Sequence, residues 1–134
     1  MNKKKVLLAE DDVDDRNIFV DFLSDREDII VMCCVDNGIK VFELLDAIAD
    51  ERDYPDLILL DHNMPKMSGR ETLEALKHHT QYRIIPVFIY STYADTSLVI
   101  NCTCAGAEMV ASKPVTKAGY EHMMDEFMAC IRQK

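Results

Sequence analysis

The 134-residue sequence lacks the features that mark several large classes of protein. No apolar run approaches the roughly 18 residues of a membrane span, and the stretch Val6–Ala9 behind the basic amino terminus is too short for a signal peptide. Basic side chains are outnumbered, with 15 Lys and Arg against 24 Asp and Glu, so the formal net charge is −9. This balance argues against non-specific binding to nucleic acid or to an anionic membrane. We therefore expect a cytoplasmic protein that binds neither.

Glycine and paired cysteines are also scarce. Only four glycines occur, and neither Gly-x-Gly-x-x-Gly nor a P-loop is present, which argues against a flavin or nucleotide binder of similar fold. The five cysteines are odd in number and include no Cys-x-x-Cys pair, so the sequence indicates neither a disulfide framework nor a zinc ribbon. We expect them to be buried, reduced thiols.

What remains is the composition of a globular domain, with 49% hydrophobic and 29% charged residues. The length is close to that of one domain and is sufficient to bury a core without metal or disulfide support. No repeat, low-complexity segment or linker interrupts the chain. The sequence therefore predicts one domain over residues 1–134, without a second folded unit.

Short apolar runs alternate with longer amphipathic segments, which indicates five strand–helix units in order. Such an alternation is typical of an α/β fold, here a doubly wound, five-stranded parallel sheet covered by helices on both faces. The predicted strands are Val6–Ala9, Ile29–Val35, Leu57–Leu60, Pro86–Tyr90 and Ala107–Ser112. The predicted helices are Asp11–Asp25, Val41–Ala49, Gly69–His79, Ala94–Ala105 and Tyr120–Ile131.

Polar side chains follow four of these strands at the point where each strand ends. They are a run of acids at residues 10–12, then Asp61, Ser91 and Lys113. Taken singly, each has an ordinary explanation, as a helix cap or a solvated loop residue. Together they would meet at one edge, because the carboxyl ends of parallel strands lie on the same side of a sheet.

Carboxylates this close repel one another unless a cation joins them, and Mg²⁺ prefers oxygen ligands of this kind. A carboxylate such as Asp61 can also attack phosphorus. A phosphoryl group in transfer needs its oxygens held by a metal, an ammonium and a hydroxyl, and Lys113 and Ser91 supply the last two.

These residues resemble a known family. The stretch from Leu57 to Gly69, with its Asp-x-x-x-Pro core at Asp61–Pro65, is similar to the phosphorylation-site signature of response-regulator receiver domains. Ser91 lies 30 residues after Asp61, and Lys113 lies 22 residues after Ser91, in the order and register of that family. The resemblance covers essentially the whole chain and implies the flavodoxin-like, CheY-like (βα)5 fold.

The resemblance implies a magnesium site. Glu10 and Asp11 match the acidic pair around Mg²⁺, with Asp11 as the direct ligand, and the ion would also be bound by Asp61 and by the main-chain carbonyl of Asn63. Asp12 is expected only to begin a helix.

It also implies a role for each residue around the phosphoryl group. Asp61 would be the phospho-acceptor, Ser91 the switch hydroxyl, and Lys113 the ammonium that pairs with the phosphoryl group. In this family the proline after that lysine, here Pro114, is often cis.

The chain departs from the family pattern in three places. Val110 replaces the switch aromatic three residues before the lysine, and Thr92 replaces a small residue beside the pocket. Asn63 and Tyr93 occupy the positions at which the family tunes its dephosphorylation rate.

The implied function is signalling rather than enzymatic, although such a domain assists its own phosphorylation and dephosphorylation. A histidine kinase or phosphotransfer protein would phosphorylate Asp61. The face formed by the fourth helix, fifth strand and fifth helix would then bind a downstream protein. We expect a stand-alone receiver, a monomer or weak homodimer, with no output domain and no direct contact with DNA.

Two other functions stay open at this stage. The first is a scaffold or dimerisation module that keeps the receiver fold but works without phosphorylation, which the substitution at Val110 favours. The second is a phosphohydrolase with an aspartyl nucleophile. Many of these have a second acid two residues after the nucleophile, where this chain has Asn63.

Overall fold

The computed structural model describes residues 3–132. Strands and helices alternate in the predicted order. The strands are β1 (Lys4–Ala9), β2 (Ile29–Val35), β3 (Leu57–Asp61), β4 (Val87–Ser91) and β5 (Met109–Ser112). The helices are α1 (Val13–Phe22), α2 (Gly38–Asp46), α3 (Gly69–His78), α4 (Thr96–Cys104) and α5 (Lys117–Arg132). Two short 3₁₀ helices, Glu51–Asp53 and Tyr82–Ile84, were not predicted from the sequence.

All strand pairs are parallel, and the strand order is β2-β1-β3-β4-β5. This is the doubly wound, flavodoxin-like sheet that the sequence predicts. Its order reverses between β1 and β3, and ligands of such sheets bind in the crevice outside the carboxyl ends of the strands at this reversal. The topology therefore selects the ends of β1 and β3 as the place for a site.

The strands alternate their side chains between two cores. On one face, residues such as Val6 and Leu8 pack with Phe19 of α1 and Phe127 of α5. On the other face, residues such as Leu7 and Ala9 pack against helices α2 and α3. The sheet is apolar on both sides because helices cover both. The Met and Phe stripe predicted for the last helix is core, as expected.

Capping residues set several helix boundaries. Helix α1 begins after Asp12, whose side chain accepts a hydrogen bond from the Asp15 amide at 3.0 Å, and it ends three residues before the predicted Asp25. The Ser68–Glu71 capping box predicted for α3 is present. Helix α4 begins two residues later than predicted because Asp95 caps it.

Two further expectations can be compared with the described residues. No helix within residues 3–132 is long and apolar enough to span a bilayer. The five cysteines are free thiols, but the expectation that all would be buried holds for Cys102 alone, because Cys104 is exposed and the other three are partly buried.

Candidate functional site

The predicted site residues meet at the carboxyl edge of the sheet. Asp61 and Ser91 are the last residues of β3 and β4, while Glu10 and Lys113 directly follow β1 and β5. Asp61 pairs in register with Tyr90. Segments that are distant in the chain therefore bring their polar ends to one rim.

Three carboxylates form a compact cluster at this rim. Oxygens of Glu10, Asp11 and Asp61 all lie within 4.8 Å of one another. Glu10 and Asp61 are buried, whereas Asp11 is exposed. One cation, Lys113, faces this group of acids, so negative charge is in excess there. A hard divalent ion with oxygen ligands, such as Mg²⁺, fits this donor set.

Glu10 is completely buried, and each of its oxygens has a partner. Oε1 accepts a hydrogen bond from the Tyr90 hydroxyl at 2.6 Å and lies 2.9 Å from Lys113 Nζ. Oε2 accepts a hydrogen bond from the Asp12 amide at 3.2 Å. A buried polar group needs such partners, and these contacts hold the Glu10 side chain in one orientation.

Lys113 is the cation around which the site is arranged. Its Nζ lies 2.9 Å from Glu10, 3.0 Å from Asp15 and 3.3 Å from Asp61. It also lies 5.0 Å from the centre of the Tyr90 ring, within the range of a cation–π contact. Burial by itself lowers the pKa of Lys113, but the surrounding carboxylates outweigh burial and raise the pKa above its usual value.

The pKa of the Asp61 carboxyl group is raised by its surroundings. Burial, and then the neighbouring Glu10 carboxylate, raise the pKa of Asp61 well above its ordinary value, while Lys113 acts in the opposite direction. A cation bound beside Asp61 would favour the carboxylate form.

Ser91 is buried at the end of β4, and its hydroxyl is engaged locally. The hydroxyl accepts from the Tyr93 amide at 3.3 Å and donates to the Tyr93 carbonyl at 3.4 Å. The Tyr93 side chain itself is 76% exposed. Ser91 thus closes the turn that leads from β4 towards α4.

The loop from β3 to α3 is held tightly against the end of β3. The Gly69 amide donates to the His62 carbonyl at 2.9 Å. A Cβ atom at Gly69 would lie 2.5 Å from the Asp61 carbonyl oxygen, so this approach requires glycine. Lys66 has a positive φ of 66°, which turns the chain back. Asn63 lies in this loop, and the role of its main-chain carbonyl as a ligand of Mg²⁺ remains a prediction.

Two predictions about the last strand can be compared with the structure. Residues 3–132 contain no cis peptide bond, so the bond before Pro114 is trans and the family's frequent cis form is not found. Val110 is partly buried against the core under α4. A groove of about 600 Å³ runs beside β5 and α5, and Val110 is among the residues that line it.

Sequence reasoning missed two members of the site. Asp15 was placed only within the predicted first helix, and Tyr90 only at the end of the predicted fourth strand. Asp15 contacts Lys113 across 98 residues, and Tyr90 contacts Glu10 across 80. A tyrosine just before the end of a fully apolar strand was the only available signal, because its hydroxyl needs a partner when buried.

Comparisons with known proteins agree with this geometry. The family model for the response regulator receiver domain matches residues 6–125. The two-component response regulator ARR16 of Arabidopsis thaliana is 27% identical over 139 residues, with 93% of this chain and 80% of ARR16 covered. The rice regulator ORR1 (Oryza sativa subsp. japonica) is 31% identical over 114 residues, covering 83% of this chain.

A solved structure shares the whole architecture. The phosphorylated cyanobacterial phytochrome response regulator RcpA is 25% identical and has a TM-score of 0.77, with 94% of this chain and 91% of RcpA covered. The chain spans about half, 49%, of ORR1. The stand-alone arrangement therefore remains a prediction.

Proposed function

Because this chain belongs to the response regulator receiver domains, we propose that it is a phospho-acceptor of a two-component system, with Asp61 as the acceptor. One observation carries the proposal. The buried carboxylate of Asp61 lies in the three-acid cluster and 3.3 Å from the ammonium of Lys113. This arrangement brings three parts of a phosphoryl-transfer site together. Asp61 is the nucleophile, the acid cluster is a place for a metal ion, and Lys113 is a positive charge for the phosphoryl oxygens.

The reaction follows from these positions. An Asp61 carboxylate oxygen attacks phosphorus, the phosphorus–nitrogen bond of a phosphohistidine breaks, and the histidine of the donor protein leaves with the electron pair and takes up a proton. Lys113 stabilises the ionised form of Asp61 and then pairs with a phosphoryl oxygen. The donor protein would be a histidine kinase or a phosphotransfer protein.

The acid cluster would hold Mg²⁺. Asp11 and Asp61 would bind it directly, joined by the main-chain carbonyl of Asn63, with Glu10 beside them. When bound, the ion neutralises charge on the transferring phosphoryl oxygens. Glu10 is already oriented for this role by Tyr90 and the Asp12 amide. The domain is thus a signalling protein that assists its own modification, not an enzyme acting on a separate substrate.

Phosphorylation of Asp61 would change the surface of the domain by way of Ser91 and α4. A phosphoryl oxygen beside Ser91 competes with the Tyr93 backbone for its hydroxyl, which would release the turn before α4. Helix α4 is rich in Thr, Val, Ile and Cys, which are weak helix formers, so its position is easily changed. The altered surface of α4, β5 and α5 would bind the downstream protein.

Mass spectrometry after incubation with Mg²⁺ and acetyl phosphate tests the proposal. We expect the wild type to gain one phosphoryl group in a Mg²⁺-dependent manner and to lose it with hydroxylamine, as an acyl phosphate does. Asp61→Asn should gain none, and Asp14→Asn, which removes an exposed acid outside the cluster, should behave as the wild type. A gain that persists in Asp61→Asn would refute the assignment.

A second function is favoured by one observation, the valine at position 110. An aromatic side chain would signal by moving, and Val110 is instead packed against the core beside an open groove. In this alternative the domain is a phosphorylation-independent scaffold or dimerisation module. It predicts that wild type and Asp61→Asn assemble equally in sedimentation experiments, and that neither Mg²⁺ nor acetyl phosphate changes the result.

A further inference from the structure

The ammonium of Lys113 has an anionic partner outside the acid cluster. Asp15, on the first turn of α1, accepts a hydrogen bond from Lys113 Nζ through Oδ2 at 3.0 Å. The contact is partly shielded, since the side chain of Lys113 is 10% exposed and that of Asp15 is 33% exposed. It ties α1 to the residue that follows β5.

Lys113 lies close to three carboxylates, and its contact with Asp15 also has the geometry of a hydrogen bond. An ammonium carries three N–H donors, and three carboxylates lie within 3.3 Å of Nζ. The distances are 2.9 Å to Glu10 and 3.0 Å to Asp15, but 3.3 Å to Asp61. The ammonium therefore lies nearer to two other acids than to the acceptor.

Of these three acids, Asp15 is the one that the ammonium can leave most easily. Glu10 is completely buried, so the loss of its cation would leave a buried charge unpaired. Asp61 is the acceptor itself. Asp15 is partly exposed, and water can replace the ammonium there.

We propose that Asp15 is a positioning residue that holds Lys113 on the α1 side of the site and competes with the phosphoryl group for its ammonium. The inference rests on the proposed function of Asp61. In the unmodified protein Asp15 restrains Lys113. When Asp61 carries a phosphoryl group, the negative charge moves out to oxygens beyond the carboxylate, and Lys113 reaches them by giving up Asp15.

Two consequences follow for the reaction. Loss of the Asp15 carboxylate should strengthen the pairing of Lys113 with a phosphoryl group and so lengthen the life of the modified state. It should leave the affinity for Mg²⁺ nearly unchanged, because Asp15 does not belong to the cluster that would bind the ion. A purely structural role of Asp15 would not separate these two properties.

The chain offers a matched control for this test. Asp14 is the preceding residue of α1, is exposed, and forms no ion pair within residues 3–132. Asp15→Asn and Asp14→Asn remove the same charge from the same helical turn. Only the first removes the contact with Lys113. Asp15→Glu keeps a carboxylate within reach and serves as the rescue variant.

Beryllofluoride, a phosphoryl mimic, is titrated into each variant in saturating Mg²⁺, and its affinity is measured by ¹⁹F NMR. In a separate experiment Mg²⁺ is titrated alone, and its affinity is measured by calorimetry. For Asp15→Asn we expect about fivefold tighter beryllofluoride binding, the size expected for one partly exposed ion pair. Mg²⁺ affinity should stay within about twofold of that of Asp14→Asn, since the two variants lose the same charge. Asp15→Glu should return to the wild-type value.

Two outcomes would overturn the proposal in distinguishable ways. If Asp15→Asn and Asp14→Asn bind beryllofluoride equally while the wild type is phosphorylated on Asp61, the positioning role is refuted and the proposed function stands. If the wild type neither binds beryllofluoride nor accepts a phosphoryl group, the positioning role of Asp15 and the proposed function are both refuted.

Discussion

At the scale of single residues, the site depends on surrounding a buried carboxylate with hydrogen-bond donors. A buried, unpaired charge costs several kcal/mol, so such a group must be surrounded by donors. Glu10 meets this requirement through Tyr90, Lys113 and the Asp12 amide. Burial, and then Glu10, also raise the pKa of Tyr90, so its hydroxyl keeps the proton that it donates.

We expect Tyr90→Phe to lower the free energy of unfolding by about 1–3 kcal/mol, because the buried carboxylate of Glu10 loses a charge-assisted hydrogen bond. The ring and its contact with Lys113 remain, so the change isolates the hydroxyl. Urea unfolding at neutral pH measures it. Tyr93→Phe, which alters an exposed tyrosine, is the control and should lie within about 0.5 kcal/mol of the wild type. Equal stability of the two variants would show that the Tyr90 hydroxyl contributes nothing.

At the scale of elements, α4 depends strongly on its N-terminal cap. Its residues are weak helix formers, and Cys102 is its only fully buried residue among those described. The Asp95 side chain accepts from the Leu98 amide at 2.9 Å and so satisfies one of the free amides of the first turn. A helix with little packing behind it is stabilised chiefly at its ends.

Asp95→Ala should therefore loosen α4 more than the rest of the molecule. A lost N-cap costs about 1 kcal/mol, and we expect amide exchange over residues 96–104 to accelerate by about fivefold or more. Hydrogen exchange with mass spectrometry measures this in the unmodified protein. Asp95→Asn keeps a capping oxygen and should restore the protection. Uniform acceleration over α1 to α5 would instead indicate loss of global stability.

At the scale of the whole molecule, a group of ion pairs around Arg26 joins the segment after α1 to helix α5. Arg26, between α1 and β2, binds Asp28 through two nitrogens at 2.7 and 2.9 Å and reaches Asp125 of α5 at 2.8 Å. It also donates to the Glu121 carbonyl at 3.1 Å. Arg26 and Asp28 directly precede β2, so they lie at the amino end of that strand, away from the acid cluster at the carboxyl edge.

The hydrogen bond from Arg26 lowers the pKa of Asp28 below its ordinary value of 3.8. A depressed carboxyl pKa contributes stability above the unfolded-state pKa, and this contribution is lost as pH falls through the folded-state pKa. Asp28→Asn should cost about 1–2 kcal/mol at pH 7 and should flatten the loss of stability below about pH 4. Thermal unfolding between pH 7 and pH 3 tests this, with Asp14→Asn as the control. An unchanged acid slope in Asp28→Asn would contradict it.

The sequence by itself determined the elements and the edge of the sheet at which the candidate site residues meet. Unbroken apolar runs such as Leu57–Leu60 predict buried strands, because both faces of the sheet are covered, and the polar residues that follow them necessarily lie at one rim. The acid cluster, Ser91 and Lys113 were identified in this way. Local signals were sufficient because each one depends only on near neighbours in the chain.

Only the tertiary structure decided which partners surround each charge. Asp15 and Tyr90 are ordinary helix and strand residues in sequence, and they join the site through contacts that span 98 and 80 residues. The contacts that a lysine makes with three nearby acids depend on their distances and their burial, and the folded chain alone sets both.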